Sequence, residues 1–435
     1  MTRFRVLSTC FAVLVATTIA WGQQPALPMP KPDDPKPLNG QPTPPPPPTG
    51  QTHSLGECIS IGLANRPSIK AAQHSLNASA ISYRALTKLG PVADLIQPDL
   101  PIRRKQSMRG ITLAAADVEK VRLETIYDVT RMYYTYVYAR QQEHTVTDVI
   151  ETMEVYYKVA KQIVDDGLGV KGPGGKRIDN FTLYGLLNII GEIRLLKLKA
   201  EIGRMAALEA LKEAMGIDPC YEFVPRDTEL PIMGGTVTKE QVVELALCRR
   251  PELVMASVGV DVFRLEVEAQ AKNTRSKKVE TLAAGSDLHA KLIPMAERDG
   301  EYRPGAVAPE MPTILVGKAE DRVAKAKEFA YRQDAVYEAA ANLIKLEAAN
   351  AYLSWLAASR RLDEAKTTYD RSRRQVEEAK AAAITRQDPE LLVTNEALAG
   401  RAQAAYVEAV FEHLKALATL ERVTAGGLPA AFPGR

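Results

Sequence analysis

Aromatic residues make up only 6% of this 435-residue chain and histidines number five. His53, His74, His144, His289 and His413 are scattered, with no ligand spacing and no carboxylate placed as on a metalloprotease helix, so each reads as a solvated or core residue. An excess of charge is missing too: 56 Lys and Arg face 53 Asp and Glu, which removes the electrostatic case for nucleic acid. Beyond residue 22 no stretch reaches the ~18 uninterrupted apolar residues of a spanning helix, so later membrane contact must come from strands or association. Residues 172–177 look superficially like a phosphate loop, but Arg177 stands where Ser or Thr is needed and no strand precedes it. These absences predict no catalytic residue, no cofactor and no metal: the chain is not expected to be an enzyme.

What is present begins with export. Arg3 and Arg5 precede an apolar stretch from Val6 to Trp21, and Ala20-Trp21-Gly22 offers a small-x-small cleavage site, so residues 1–22 read as a signal peptide. Residues 23–53 follow, centred on Pro44 to Pro48, and read as an extended polyproline linker. Cleavage would leave three cysteines. Cys220 and Cys248 are candidates for a bridge in an oxidising compartment, with Cys58 free; the alternative is three buried, inert thiols.

The chain then repeats itself. Ser54 to Glu57 opens a short amphipathic segment ending at Arg66-Pro67, and Thr238 to Gln241 opens another ending at Arg250-Pro251, at a constant offset of 184. Each start is a capping box, and each proline halts the first helix. Deeper in, Tyr133-Tyr134-Thr135-Tyr136 aligns with Tyr352-Leu353-Ser354-Trp355 at an offset of 219, so the second copy carries about 35 extra residues. Long coiled-coil segments follow: Val146, Val149, Met153, Tyr156, Ala160 and Ile163 recur at steps of three and four, as do Leu362, Ala365, Tyr369, Ser372, Val376, Ala379 and Ala383. A helix over 111–166 is expected, ended by the glycine-rich 167–175. The second long helix turns at Arg386 to Pro389, with Asp388 as N-cap. The return helices fall over 181–215 and 390–423. Small residues at the seams suit sheets of closely packed helices. Spacing alone also fits an elongated dimeric coiled coil.

Asn65-Arg66-Pro67-Ser68-Ile69, its partial copy Arg249-Arg250-Pro251-Glu252-Leu253, and Ala351-Tyr352-Leu353-Ser354-Trp355-Leu356-Ala357-Ala358 resemble the repeat motifs of the TolC-like outer-membrane efflux protein family, over residues 54–426. The resemblance implies a mainly α fold: two tandem repeats of long coiled-coil hairpins, 54–217 and 238–426, joined by 218–237 and followed by a tail, 427–435. It implies a homotrimer whose hairpins close a helical barrel through the periplasm, topped by strands in the outer membrane. A periplasmic adaptor protein and an inner-membrane pump are the implied partners of a tripartite efflux or type I export system. The adaptor would dock at the hairpin tips, here Gly167, Leu168, Lys171, Lys176, Arg177, Ile384, Arg386 and Asp388, although neither tip carries the family's Arg-Leu-Ser motif. The alternative function is a non-conducting coiled coil that bridges envelope layers.

The membrane part departs from the family pattern. Between Gly90 and Gly110 lie Pro91, Pro98, Pro101 and the basic Arg103-Arg104-Lys105, too short and too proline-rich for two crossing strands. The second insertion, 274–317, offers only Val279 to Leu282 and Leu288 to Ile293 as strand candidates. A short or degenerate β-barrel part is expected.

Overall fold

The computed structural model describes residues 51–165, 180–284, 311–386, 389–430 and 432–433. The two capping boxes form as the sequence predicts. Glu57 N–H donates to Ser54 Oγ at 3.3 Å while Ser54 N–H donates to Glu57 Oε2 at 2.7 Å; Thr238 and Gln241 exchange the same pair at 3.3 and 3.2 Å. With their free amides satisfied, helices α1 (Leu55–Asn65) and, in the second repeat, α6 (Lys239–Arg249) start at equivalent places. The prolines then act as starts as well as stops: Pro67 and Pro251 open α2 (Pro67–Lys88) and α7 (Pro251–Lys272), each 22 residues long.

A six-residue helix, α3 (Pro91–Ile96), leads into α4 (Leu100–Asp165), and α5 (Asn180–Met215) returns along it. The second hairpin is α8 (Ala319–Arg386) with α9 (Pro389–Val423). At 66 and 68 residues the outgoing helices each run roughly 100 Å. Helix α4 begins eleven residues before the expected start at 111. Pro101 falls in its first turn, where a missing N–H leaves no hydrogen bond unmade, so the prolines do not exclude helix there.

Four three-residue strands complete the described chain. β1 (Gln51–His53) pairs in parallel with β2 (Phe223–Pro225), so residues 51–53 belong to the folded unit instead of the linker. β3 (Lys278–Glu280) pairs antiparallel with β4 (Ile314–Val316). The candidate at 279–282 thus starts one residue earlier and stops at Glu280. Leu282 enters a 3-10 turn because its N–H donates to Glu266 Oε2 at 3.1 Å and the next N–H to Thr281 Oγ1 at 3.2 Å. The candidate at 288–293 lies outside the described residues. The first insertion holds helix and no strand pair, as its prolines and charges foretold.

The core lies where the hairpins meet α1. Leu55, Cys58, Val129, Tyr133, Leu211, Met215 and Leu414 are all but sealed from solvent. Gly216, at φ 65°, closes α5 in the left-handed region, and a Cβ there would stand 2.7 Å from Arg66 Cα, so only glycine lets the hairpin return against the Arg-Pro turn. The cysteine expectation needs correcting. Cys58 is buried and its thiol is pushed up to about 12, chiefly by desolvation and then by Glu57 and Asp227, whereas Cys220 and Cys248 are exposed and unpaired. Neither the bridge nor three buried thiols is found.

The paired-hairpin wall as candidate functional site

The coiled-coil positions build a wall of helices. Met153, Ala160, Leu362, Val376 and Ala379 are buried, and Val146, Val149, Tyr156, Ala365, Tyr369 and Ser372 are half-buried between hairpin partners. The return helix α9 adds Ala402, Ala409, Ala416 and Ala418, whose short side chains let backbones approach. Tyr138 stacks on Phe411 with centroids 4.6 Å apart, and Tyr369 on Tyr406 at 5.4 Å. At Gly400 a Cβ would meet Val149 Cγ2 at 2.9 Å. This glycine allows α9 to press against α4 as well as α8.

That second contact defines the wall. Helix α9 touches α4, and α7 lies between α4 and α8, so the second repeat grips the first. Tyr127 Oη is 3.5 Å from Thr419 Oγ1, the Arg422 guanidinium sits 5.1 Å over the Tyr127 ring, and Tyr134 meets Phe432 at 5.4 Å. Tyr127 and Tyr134 are consequently 9% and 2% exposed. Shifting by the repeat offset of 219 brings these positions to Leu346 and Leu353 on α8, which are 46% and 53% exposed. The return helix α5 likewise presents Leu195, Leu196, Leu198, Ile202 and Met205 to solvent. One side of each repeat is therefore covered within the chain and its counterpart is open.

The Arg-Pro turns carry a matching pair of ion bridges that the repeat motifs by themselves do not announce. Arg66 bonds Asp128 at 2.7 Å, and Arg250, by the same offsets, bonds Glu347. In the second repeat the bridge is buried and grows: Glu252 joins Arg250 at 2.9 Å, and Arg422 of α9 reaches Glu347 at 2.9 Å. Burial alone would raise the Glu252 carboxyl, but the hydrogen bond and charge of Arg250 outweigh it and hold the group below the usual carboxylate range. The signal was available: carrying the 219 offset past the aromatic cluster places Asp128 opposite Glu347.

Where the hairpins end opposite their turns, a second polar cluster locks the repeats together. Arg103 on α4 reaches the fully buried Glu266 of α7, Asp99 at 3.0 Å and the Glu280 carbonyl at 2.6 Å. Arg322, its counterpart on α8, donates to Gln270 at 3.1 Å and to the carbonyls of Asn273, Ser276 and Gly317. These buried donors and acceptors are satisfied, as buried groups must be, and tie α7 to both outgoing helices.

Of the expected tip residues, Gly167, Leu168, Lys171, Lys176, Arg177 and Asp388 lie outside the described residues, while Ile384 and Arg386 occupy the last turn of α8. Residues 172–177 and His289 also lie outside them. His74 and His144 are exposed, His53 stacks beside Tyr221, and His413 is buried. Among the described residues no group of three or more His, Cys, Asp or Glu could hold a metal, and no helix is long and apolar enough to cross a membrane.

No family model matches the chain, and no curated protein matches it in sequence. Solved structures do. The outer-membrane channel OprN aligns over 86% of this chain and 90% of its own, at 16% identity and a TM-score of 0.66. The open state of the Neisseria gonorrhoeae MtrE outer membrane channel covers 86% of this chain and 89% of its own, at 16% identity and 0.63. The outer membrane protein VceC of Vibrio cholerae covers 86% and 96%, at 13% identity and 0.63. With so little identity over nearly the whole length, what is shared is architecture: the chain has the fold of the TolC-like outer-membrane channels, two tandem helical-hairpin repeats without a closed strand barrel among its described residues.

Proposed function

We propose that this protein is the homotrimeric channel component of an efflux or export assembly, exported to the periplasm and outer membrane. There it would pass small molecules or peptides to the exterior with energy supplied by an inner-membrane pump through a periplasmic adaptor. One observation carries the reading. The contact that the second repeat makes on the first leaves Leu346 and Leu353 open at the positions where Tyr127 and Tyr134 are covered. A head-to-tail contact of this kind is satisfied by repeating it around a ring, with α2 and α5 of one chain laid on α8 of the next. The resemblance to channel folds implies three chains, hence six repeats, and a lumen at the centre. The adaptor would meet the turns between α4 and α5 and between α8 and α9, since exposed turns bind partners without disturbing packed seams.

Projection images of the purified particle by electron microscopy test the assembly. Rings with a central lumen are expected; a rod-shaped dimer would favour the non-conducting coiled coil instead. Replacing Lys171, Lys176 and Arg177 by Ser should leave the ring intact and weaken adaptor pull-down and efflux together. Unchanged pull-down and efflux would remove the docking role of these turns.

A further inference from the structure

Among the described residues, the short helix α3 carries the least explained apolar surface: Val92, Leu95 and Ile96 are 69%, 85% and 76% exposed. Its orientation is enforced from beneath. Arg104 bonds Asp94 at 2.9 Å and donates to the Leu86 and Leu89 carbonyls at 2.9 and 2.7 Å, closing the end of α2 and holding Asp94 inward. At about 100° per residue, positions 92 and 96 then lie about 160° from Asp94 and face away from the protein, with position 95 on the flank. Single exposed hydrophobes are ordinary, but three within five residues of one pinned helix, with Leu89 and Met108 also exposed nearby in sequence, mark an interaction site.

The surroundings are basic. Residues 84–110 hold six Arg and Lys against two Asp, and both Asp are taken up by Arg103 and Arg104. Lys88 and Lys105 are exposed. Across a cleft of about 420 Å³ flanked by Ile96, Leu100, Lys278 and Leu282 stands the β3–β4 pair, with Lys272, Arg275, Lys277, Lys278 and Lys318 exposed around it against Glu280, Glu320 and Asp321. This is the end of the hairpins where family members place their membrane strands, while the described strands here are three residues long against the 9–11 needed to cross.

We propose that α3 and its basic collar seat this end of the protein on the surface of a bilayer containing anionic lipid, as an interfacial contact beside whatever crosses it. Apolar side chains ringed by Lys and Arg match the boundary between acyl chains and acidic headgroups. A second copy is the poorer occupant, because it would bring the same positive collar against this one. The proposal rests on reading this end as the membrane end of the conduit.

Vesicle co-sedimentation of the full chain tests it, every variant keeping the same N-terminus so that the leader contributes equally. Binding to phosphatidylcholine vesicles containing phosphatidylglycerol should exceed binding to phosphatidylcholine alone by about tenfold, and fall with added salt. Val92→Ser/Leu95→Ser/Ile96→Ser should lower it by about tenfold or more, and Lys88→Glu/Lys105→Glu should lower only the anionic component. Circular dichroism and the ring mass should stay as in the wild type, because the substituted side chains are exposed. Unchanged vesicle binding in the triple variant, or equal binding to both lipids, overturns the proposal. So does loss of the ring in the triple variant, which would make a second copy the occupant. If the wild type binds vesicles through α3 but forms no ring, the conduit reading fails while this one stands.

Discussion

Helices α2 and α7 are equal in length, begin at equivalent Arg-Pro turns and run along equivalent long helices, yet α7 buries thirteen of its residues and α2 only three. The difference is one of neighbours. Helix α7 has α8 on one side and α4 on the other, whereas α2 has α4 as its one long-helix neighbour and touches α1 besides. The same contrast recurs at the ion bridges, sealed around Arg250 and half-open around Arg66, and at Leu346 and Leu353 against Tyr127 and Tyr134. An interior repeat interface thus displays what the outer faces of the same repeats lack. It serves as a template for the proposed contact between chains.

The largest effect should follow from Arg250→Ala. It strands the buried Glu252 and leaves Glu347 with Arg422 alone, and breaking such a network by removing one partner costs about 3–5 kcal/mol. Arg66→Ala exposes a half-solvated Asp128 and should cost about 1 kcal/mol or less in the isolated chain. Denaturant unfolding of the two variants measures the gap; equal losses would break the comparison.

Next in size is Leu346→Glu with Leu353→Glu. Both side chains are exposed on one chain, so helicity should be retained, but a charge placed in the centre of the proposed ring contact should weaken assembly by about 2–4 kcal/mol. Sedimentation of wild type and variant would report it, and an unaltered ring would show that these leucines do not face another copy.

Glycines sharpen the same contrast at a smaller scale. Gly400→Ala places a methyl 2.9 Å from Val149 Cγ2 and should cost about 1 kcal/mol, whereas Gly203→Ala, with nothing within 4 Å, should gain about 0.5–1 kcal/mol from helix propensity. Opposite shifts in thermal midpoint are expected.

The smallest effect is a pH dependence. Glu252 is held low, so its contribution is complete above the ordinary value of 4.5 and vanishes as pH falls through the lower folded value. Burial pushes the His413 imidazole below 6.5, so the unfolded chain takes up a proton that the folded chain refuses, and stability declines as pH drops below 6.5. His413→Gln should flatten the upper part of that decline and leave the lower part, read by urea midpoints across pH 4–7.

Much of this was legible in one dimension because it rests on short-range physics. A capping box needs four residues, an Arg-Pro break needs two, and a coiled-coil seam declares itself every three or four. From these came the duplication at offsets of 184 and 219 and the two hairpins, while prolines and charges gave the strandless first insertion. The early start of α4 was hidden because Pro98 and Pro101 were weighed against strands only, and Pro101 is compatible with helix once it falls in a first turn. The β1–β2 pair joins strands three residues long and 172 apart in sequence, below what a pattern can register. Which face of a repeat is covered could not be read at all. Tyr134 and Leu353 occupy equivalent positions of the two repeats, and both offer a large, mainly apolar side chain. Only the tertiary structure decides that Phe432 closes over one while the other stays open, because burial is a property of neighbours, and a helix's own sequence specifies the stripe it offers without specifying what comes to meet it.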